Sequence, residues 1–123
     1  MSDEAIDMKE VMERVHEDKE LLKELLQIFL EDYVEKKQAL EQAVAHQDFE
    51  AVKSISHGMK GASGNISAKK LRVSFLNLEQ MAKANDFASG RQTLDLIDQQ
   101  VNELKDFVEN NFKPKNFSSR LLD

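Results

Sequence analysis

The chain has 123 residues, a net charge of −6, 33% charged and 41% hydrophobic residues, one proline and no cysteine. That length and balance describe a single folded domain with one core, and the missing cysteines exclude disulfides, thiolate metal sites and cysteine nucleophiles. Scattered lysines and arginines in an acidic chain speak against phosphate-driven nucleic-acid binding, and no apolar run approaches the roughly eighteen residues of a membrane span.

A first short helix is predicted over 4–15, with Ile6, Met8, Val11, Met12 and Val15 as a loose apolar stripe and Asp3 as its cap. The acidic start "MSDEAIDMKE" lacks the apolar segment of a signal peptide, so a cytoplasmic protein is expected. His16-Glu17-Asp18 reads as a break, with Asp18 capping the next helix. That second helix is predicted over 19–46, its stripe running through Leu22, Leu25, Leu26, Phe29, Leu30, Tyr33, Val34, Lys37, Leu40 and Val44. Asp48 caps a third helix from Phe49 into a glycine-rich stretch. A fourth helix follows Ser67 on Leu71, Phe75, Leu78 and Met81 and stops near residues 83–86. A fifth spans 88–112 on Leu94, Ile97, Val101, Leu104 and Val108. Residues 113–123 carry no periodic pattern and are expected to form a flexible tail, leaving 1–112 as the domain. Long helices with short polar connections pack as antiparallel neighbours. The expected fold is all-α: an antiparallel up-down four-helix bundle with an additional short N-terminal helix.

The stretch "SHGMKGASGNIS", residues 56–67, holds three of the four glycines. Each interior helical glycine costs roughly 1 kcal/mol relative to alanine. If the third helix continues through it at about 100° per residue, Val52, Ile55, Met59, Ala62 and Ile66 share one face and define the buried side. His57 then lies opposite and faces water, with Lys60, Gly61 and Gly64 within about 60° of it. Two readings follow. In one the glycines end or bend the helix and His57 is ordinary surface. In the other, Gly61 and Gly64 keep a platform flat around an imidazole that another molecule approaches closely. An unperturbed imidazole is largely neutral at pH 7 and offers a nucleophilic lone pair, and a lysine one turn away can offset the charge of an accepted phosphoryl group. On this projection Gly58 lies off the arc and has no assigned reason. Glu79 and Gln80 on the fourth helix could approach the site but read rather as a solvated polar face, and His16 and His46 read as surface histidines.

"SHGMKGASGNISA" resembles the H-x-x-K-G signature of histidine-containing phosphotransfer (HPt) domains, the intermediate carriers of phosphorelays. The layout of "FLEDYVEKKQALEQAV", "QDFEAVKSISHGMKG" and "KKLRVSFLNLEQMAK" extends the resemblance over about residues 19–110. It implies that His57 is the phosphoacceptor, reacting through Nε2, and that Lys60 stabilises the phosphoryl group. Gly61, Gly64 and Ser63 match the small residues that give a partner access, Gly64 beside the acceptor and Ser63 towards the bundle. Ser56 stands where alanine is frequent, Met59 replaces a usual leucine, and Ile66-Ser67-Ala68 replaces a common "IGA"; none of these touches His57, Lys60 or Gly61.

The resemblance further implies a phosphocarrier rather than an enzyme. A receiver domain of a hybrid histidine kinase would bring an aspartyl phosphate, and the receiver of a response regulator would take the group from His57. Mg²⁺ is expected in the partner receiver, with no cofactor or metal bound by this chain. No kinase or receiver domain accompanies the bundle, which is expected to act as a monomeric carrier, freestanding or excised from a longer protein. Two alternatives stay open: a helical-bundle adaptor that only binds or sequesters receivers, and an enzyme using His57 as general base, which requires a concave pocket with a perturbed partner group.

Overall fold

Three aspartates open the first three helices of the chain. In the computed structural model, which describes residues 4–112, α1 is Met8–Arg14, α2 Lys19–Ala45, α3 Phe49–Asn65, α4 Lys69–Lys83 and α5 Gly90–Phe112. Asp7, Asp18 and Asp48 each accept a hydrogen bond from the backbone N–H three residues on, at Glu10, Leu21 and Ala51, satisfying donors that have no partner inside the helix. The first helix is therefore shorter than its apolar stripe predicts and is capped by Asp7; Asp3 and the tail 113–123 lie outside the described residues. Ala68, at the N-cap of the fourth helix, gives it no side-chain cap.

The helix ends follow one scheme. After α1, α2, α3 and α4 the backbone N–H of Glu17, Asp48, Ala68 and Asp86 returns to the carbonyl five residues back, on Met12, Ala43, Ser63 and Met81. The residue before each of these, His16, Gln47, Ser67 and Asn85, has positive φ. This is the left-handed helix terminus that glycine usually supplies, yet no glycine in the chain has positive φ.

Helices α2, α3, α4 and α5 pack in a ring, each against the next and α5 back against α2. Among the described residues there is no strand. The architecture is the antiparallel four-helix bundle with a short extra helix that the sequence pattern predicts. Leu22, Leu26, Phe29, Tyr33 and Leu40 of α2 meet Val52 and Met59 of α3, Leu71, Phe75 and Leu78 of α4, and Leu94, Ile97, Val101 and Leu104 of α5 in one buried cluster. Each large apolar side chain so buried contributes roughly 1.5–3 kcal/mol. Val34 is not among them: it is 67% exposed, because a step of about 100° from buried Tyr33 carries it off the core face. Lys37, also counted in that stripe, instead reaches Asp98 on α5 at 2.9 Å.

The N-terminal segment closes one end of the bundle. Ile6, Val11 and Val15 are buried in the same cluster, and the Asp7 N–H donates to the carbonyl of Ser67 at 2.8 Å. Lys69 adds ion pairs to Asp7 and Glu10. The turn between α3 and α4 is thereby fixed, and with it the register of the two helices that carry the site.

Candidate functional site

α3 runs unbroken from Phe49 to Asn65, straight through the glycine stretch. The reading of those glycines as a helix end is thus overturned. Nor does internal packing require two of them. A Cβ added at Gly58 or Gly61 would meet nothing within 4 Å, while one at Gly64 would sit 3.4 Å from Cδ of Arg72, an ordinary contact. Gly58, left unexplained by the projection, is exposed like Gly61.

The buried face of α3 is rotated from the predicted one. Val52, Ser56, Met59 and Ser63 are its buried residues, whereas Ile55 and Ala62 are only half-buried. α3 and α4 are the most extensively packed pair, and two serines seven residues apart keep that face slim enough for close approach. The Ser63 hydroxyl donates to the Met59 carbonyl at 2.8 Å. Ser63 is fully buried, facing the bundle as expected, and so, contrary to the resemblance, it is not a partner-access residue. The Ser56 hydroxyl, also fully buried, has no hydrogen-bond partner among the described residues.

His57 points away from the core, its side chain 69% exposed. It is not isolated. Glu79 of α4 accepts from its Nδ1 at 3.0 Å through Oε2 and from Lys60 Nζ at 2.8 Å through Oε1. Lys83 Nζ stands 3.8 Å from Oε2. The Glu79 side chain is only 5% exposed, so the expectation of a solvated polar face fails for it, while Gln80 beside it is exposed. The signal was present in the sequence: Glu79 lies four residues after Phe75 and three before Ala82, inside the apolar stripe of α4. A carboxylate can stay there because Lys60 and His57 above it satisfy one oxygen each. The Lys60 hydrogen bond holds its carboxyl below the ordinary range against the opposing effect of burial, and the His57 hydrogen bond adds to the lowering.

An ionised carboxylate only accepts hydrogen bonds. Facing one, neutral His57 carries its proton on Nδ1, which leaves the Nε2 lone pair free on the solvent side. The arrangement can therefore present an oriented nucleophilic nitrogen with a cation one helical turn away. Of two surface depressions among the described residues, one is lined by Glu4, Met8 and Phe107 and the other by Glu10, Ser67 and Arg72, and neither includes His57. His16 closes the α1 turn at φ 55°, and His46 Nδ1 lies 2.8 Å from the Gln42 carbonyl oxygen at the end of α2.

The antiparallel bundle thus holds His57 outward, backed by the buried Glu79 carboxylate and flanked by Lys60 and the exposed Gly58 and Gly61. Residues 24–107 match the Hpt domain family, and the chain belongs to that family, whose members are phosphocarriers in two-component signalling. Its fold is similar to that of histidine-containing phosphotransfer protein B (HptB) from Pseudomonas aeruginosa PAO1, with a TM-score of 0.81 and 19% sequence identity over 89% of this chain and 95% of that one. No curated protein matches the sequence. No helix of the described residues is long and apolar enough to cross a membrane.

Proposed function

We propose that this chain is a phosphorelay intermediate: His57 accepts a phosphoryl group from the aspartyl phosphate of one receiver domain and returns it to the aspartate of another. The observation that carries the reading is the Nδ1–Glu79 hydrogen bond beneath an exposed ring. The Nε2 lone pair forms a bond to phosphorus as the bond from phosphorus to the aspartyl oxygen breaks, and the aspartate leaves as a carboxylate. No proton has to leave the ring, because Nδ1 already holds it. The positive charge that develops on the imidazole is stabilised by Glu79, as a carboxylate stabilises an imidazolium elsewhere. Lys60, 21% exposed and 2.8 Å from Glu79, is placed to offset the charge of the phosphoryl group.

Mg²⁺ held by the receiver would supply the electrostatic catalysis, while this chain supplies nucleophile and docking surface. A hybrid histidine kinase upstream, a response regulator downstream and a monomeric, cytoplasmic carrier complete the proposal. Gly61 keeps the approach to Nε2 clear, and Gly64, two turns from His57 under the stem of Arg72, extends the platform.

The test is incubation with a phosphorylated receiver and Mg²⁺. An acid-labile, base-stable label on the chain, lost in His57→Gln, is the expected result. Receiver binding without label would instead support an adaptor that sequesters receivers, and the relay reading would be abandoned.

A further inference from the structure

Two of the three arginines among the described residues are ion-paired: Arg14 with Glu10 at 3.8 Å, and Arg91 with Asp95 and Glu41 at 3.3 and 3.8 Å. Arg72 has no carboxylate partner among them, in a chain with 23 acidic and 17 basic residues. Its stem lies across Gly64, where a Cβ would be 3.4 Å from Cδ and 3.6 Å from Nε. Gly64 is two turns along α3 from His57, on the same arc as Lys60 and Gly61.

Arg72 also lines a depression of about 490 Å³ with Arg14, Lys69, Glu10, Ser67 and Gly64. The other charges there are matched. Glu10 accepts from the Ser67 hydroxyl at 2.6 Å and pairs with Lys69 and Arg14, and Lys69 is also held by Asp7. The unbalanced charge at this edge of the glycine platform is therefore the Arg72 guanidinium.

We infer that Arg72 is a docking contact for the receiver, taking a carboxylate on the rim of the receiver's active site and selecting which receivers engage, without a part in the chemistry at His57. This rests on the phosphotransfer reading above. A site that holds an aspartyl phosphate and Mg²⁺ is built from carboxylates, and guanidinium matches carboxylate in charge and in its paired donors. Two helical turns are about 10 Å, well inside a standard interface of roughly 800 Å² per partner. A receiver seated over Nε2 thus covers Gly61 and Gly64 and reaches Arg72.

The experiment uses a receiver, phosphorylated by acetyl phosphate with Mg²⁺, that labels the wild-type chain. Transfer is followed against receiver concentration at low and high salt for wild type, Arg72→Ala, Arg72→Glu and Arg72→Lys. A charge at an interface rim acts mainly on encounter and salt dependence, so Arg72→Glu is expected to raise the half-saturating receiver concentration about tenfold at low salt, with the saturated rate held within about twofold. Arg72→Ala shows a smaller rise and a flatter salt dependence, and Arg72→Lys stays near wild type. Direct labelling of His57 by the small donor phosphoramidate is unchanged in all of them. Unchanged half-saturation in Arg72→Glu, or a parallel loss of phosphoramidate labelling, overturns the docking role while leaving the relay standing. A wild-type chain that phosphoramidate labels but no receiver does overturns the relay reading and the docking role together.

Discussion

At 3.0 Å from Nδ1 of His57, the Glu79 carboxylate does two jobs that an exposed lysine or serine could not. It selects the tautomer, and it keeps Lys60 anchored one turn from His57. Glutamine at this position preserves the shape, but its amide both donates and accepts, so neither tautomer is enforced and Lys60 loses its counter-charge. Behind metal-bound histidines, loss of such an orienting carboxylate costs about 10- to 100-fold, and the same hydrogen bond orients His57 here. Glu79→Ala is expected to slow phosphoryl acceptance by an amount in that range, and Glu79→Gln by less. Imidazole ¹⁵N–¹H spectra check the cause independently of rate: neutral wild-type His57 should be the Nδ1–H tautomer, and the Glu79 variants mixtures. A wild-type ring protonated on Nε2 would remove Glu79 from its assigned role. His57, Lys60 and Gly61 were legible because the motif places them on one helix at fixed angles. The burial of Glu79 was legible in the apolar stripe of α4, but its pairing with His57 was not, because a contact between helices depends on the register of α3 against α4, which no local periodicity encodes.

At the scale of one helix, α3 gives up stability where the fold does not ask for it. Among the described residues, the non-glycine positions with positive φ are His16, Glu17, Gln47, Ser67 and Asn85, so the turns bear conformational cost while the α3 glycines occupy ordinary helix. Alanine at Gly61 meets nothing within 4 Å and should stabilise the chain by about 1 kcal/mol through helix propensity. Leucine there should also leave the fold intact, yet slow receiver-driven transfer, because its side chain projects beside Nε2. Thermal unfolding and transfer rate measured on the same pair of variants separate the two effects. If Gly61→Leu transferred as fast as wild type, the open platform would have no functional reason. The helix order and the Asp18 and Asp48 caps could be read from the sequence, since capping residues and apolar stripes act locally. The rotation of the buried face of α3 could not: Ser56 and Ser63 are inward because α4 packs closely, a tertiary demand that outweighs their polarity.

Across the whole molecule, carboxylates fasten the seams between helices, and this makes the bundle acid-sensitive in a definite direction. Glu79 joins α4 to α3. Asp98 joins α5 to α2, accepting from Lys37 at 2.9 Å and from the buried Tyr33 hydroxyl at 3.2 Å. Asp7 and Glu10 tie α1 and its cap to Lys69 at the start of α4. Lys60 holds Glu79 below its ordinary value of 4.5, and Lys37, then Tyr33, hold Asp98 below 3.8, against burial in both cases. Asp7 and Glu10 are lowered as well, chiefly by the Glu10 backbone N–H and the Ser67 hydroxyl respectively. A carboxyl with a depressed folded-state pKa contributes fully above its unfolded value and loses that contribution as pH falls through the folded-state pKa. Thermal stability is therefore expected to be level from neutral pH to about pH 5 and to decline below it. The double variant Glu79→Gln, Asp98→Asn should melt lower at neutral pH but decline less steeply on acidification, retaining the share due to Asp7 and Glu10. Melting followed by circular dichroism in steps from neutral to acid decides the matter: equal slopes for wild type and double variant would mean that these two seams are not what acid opens.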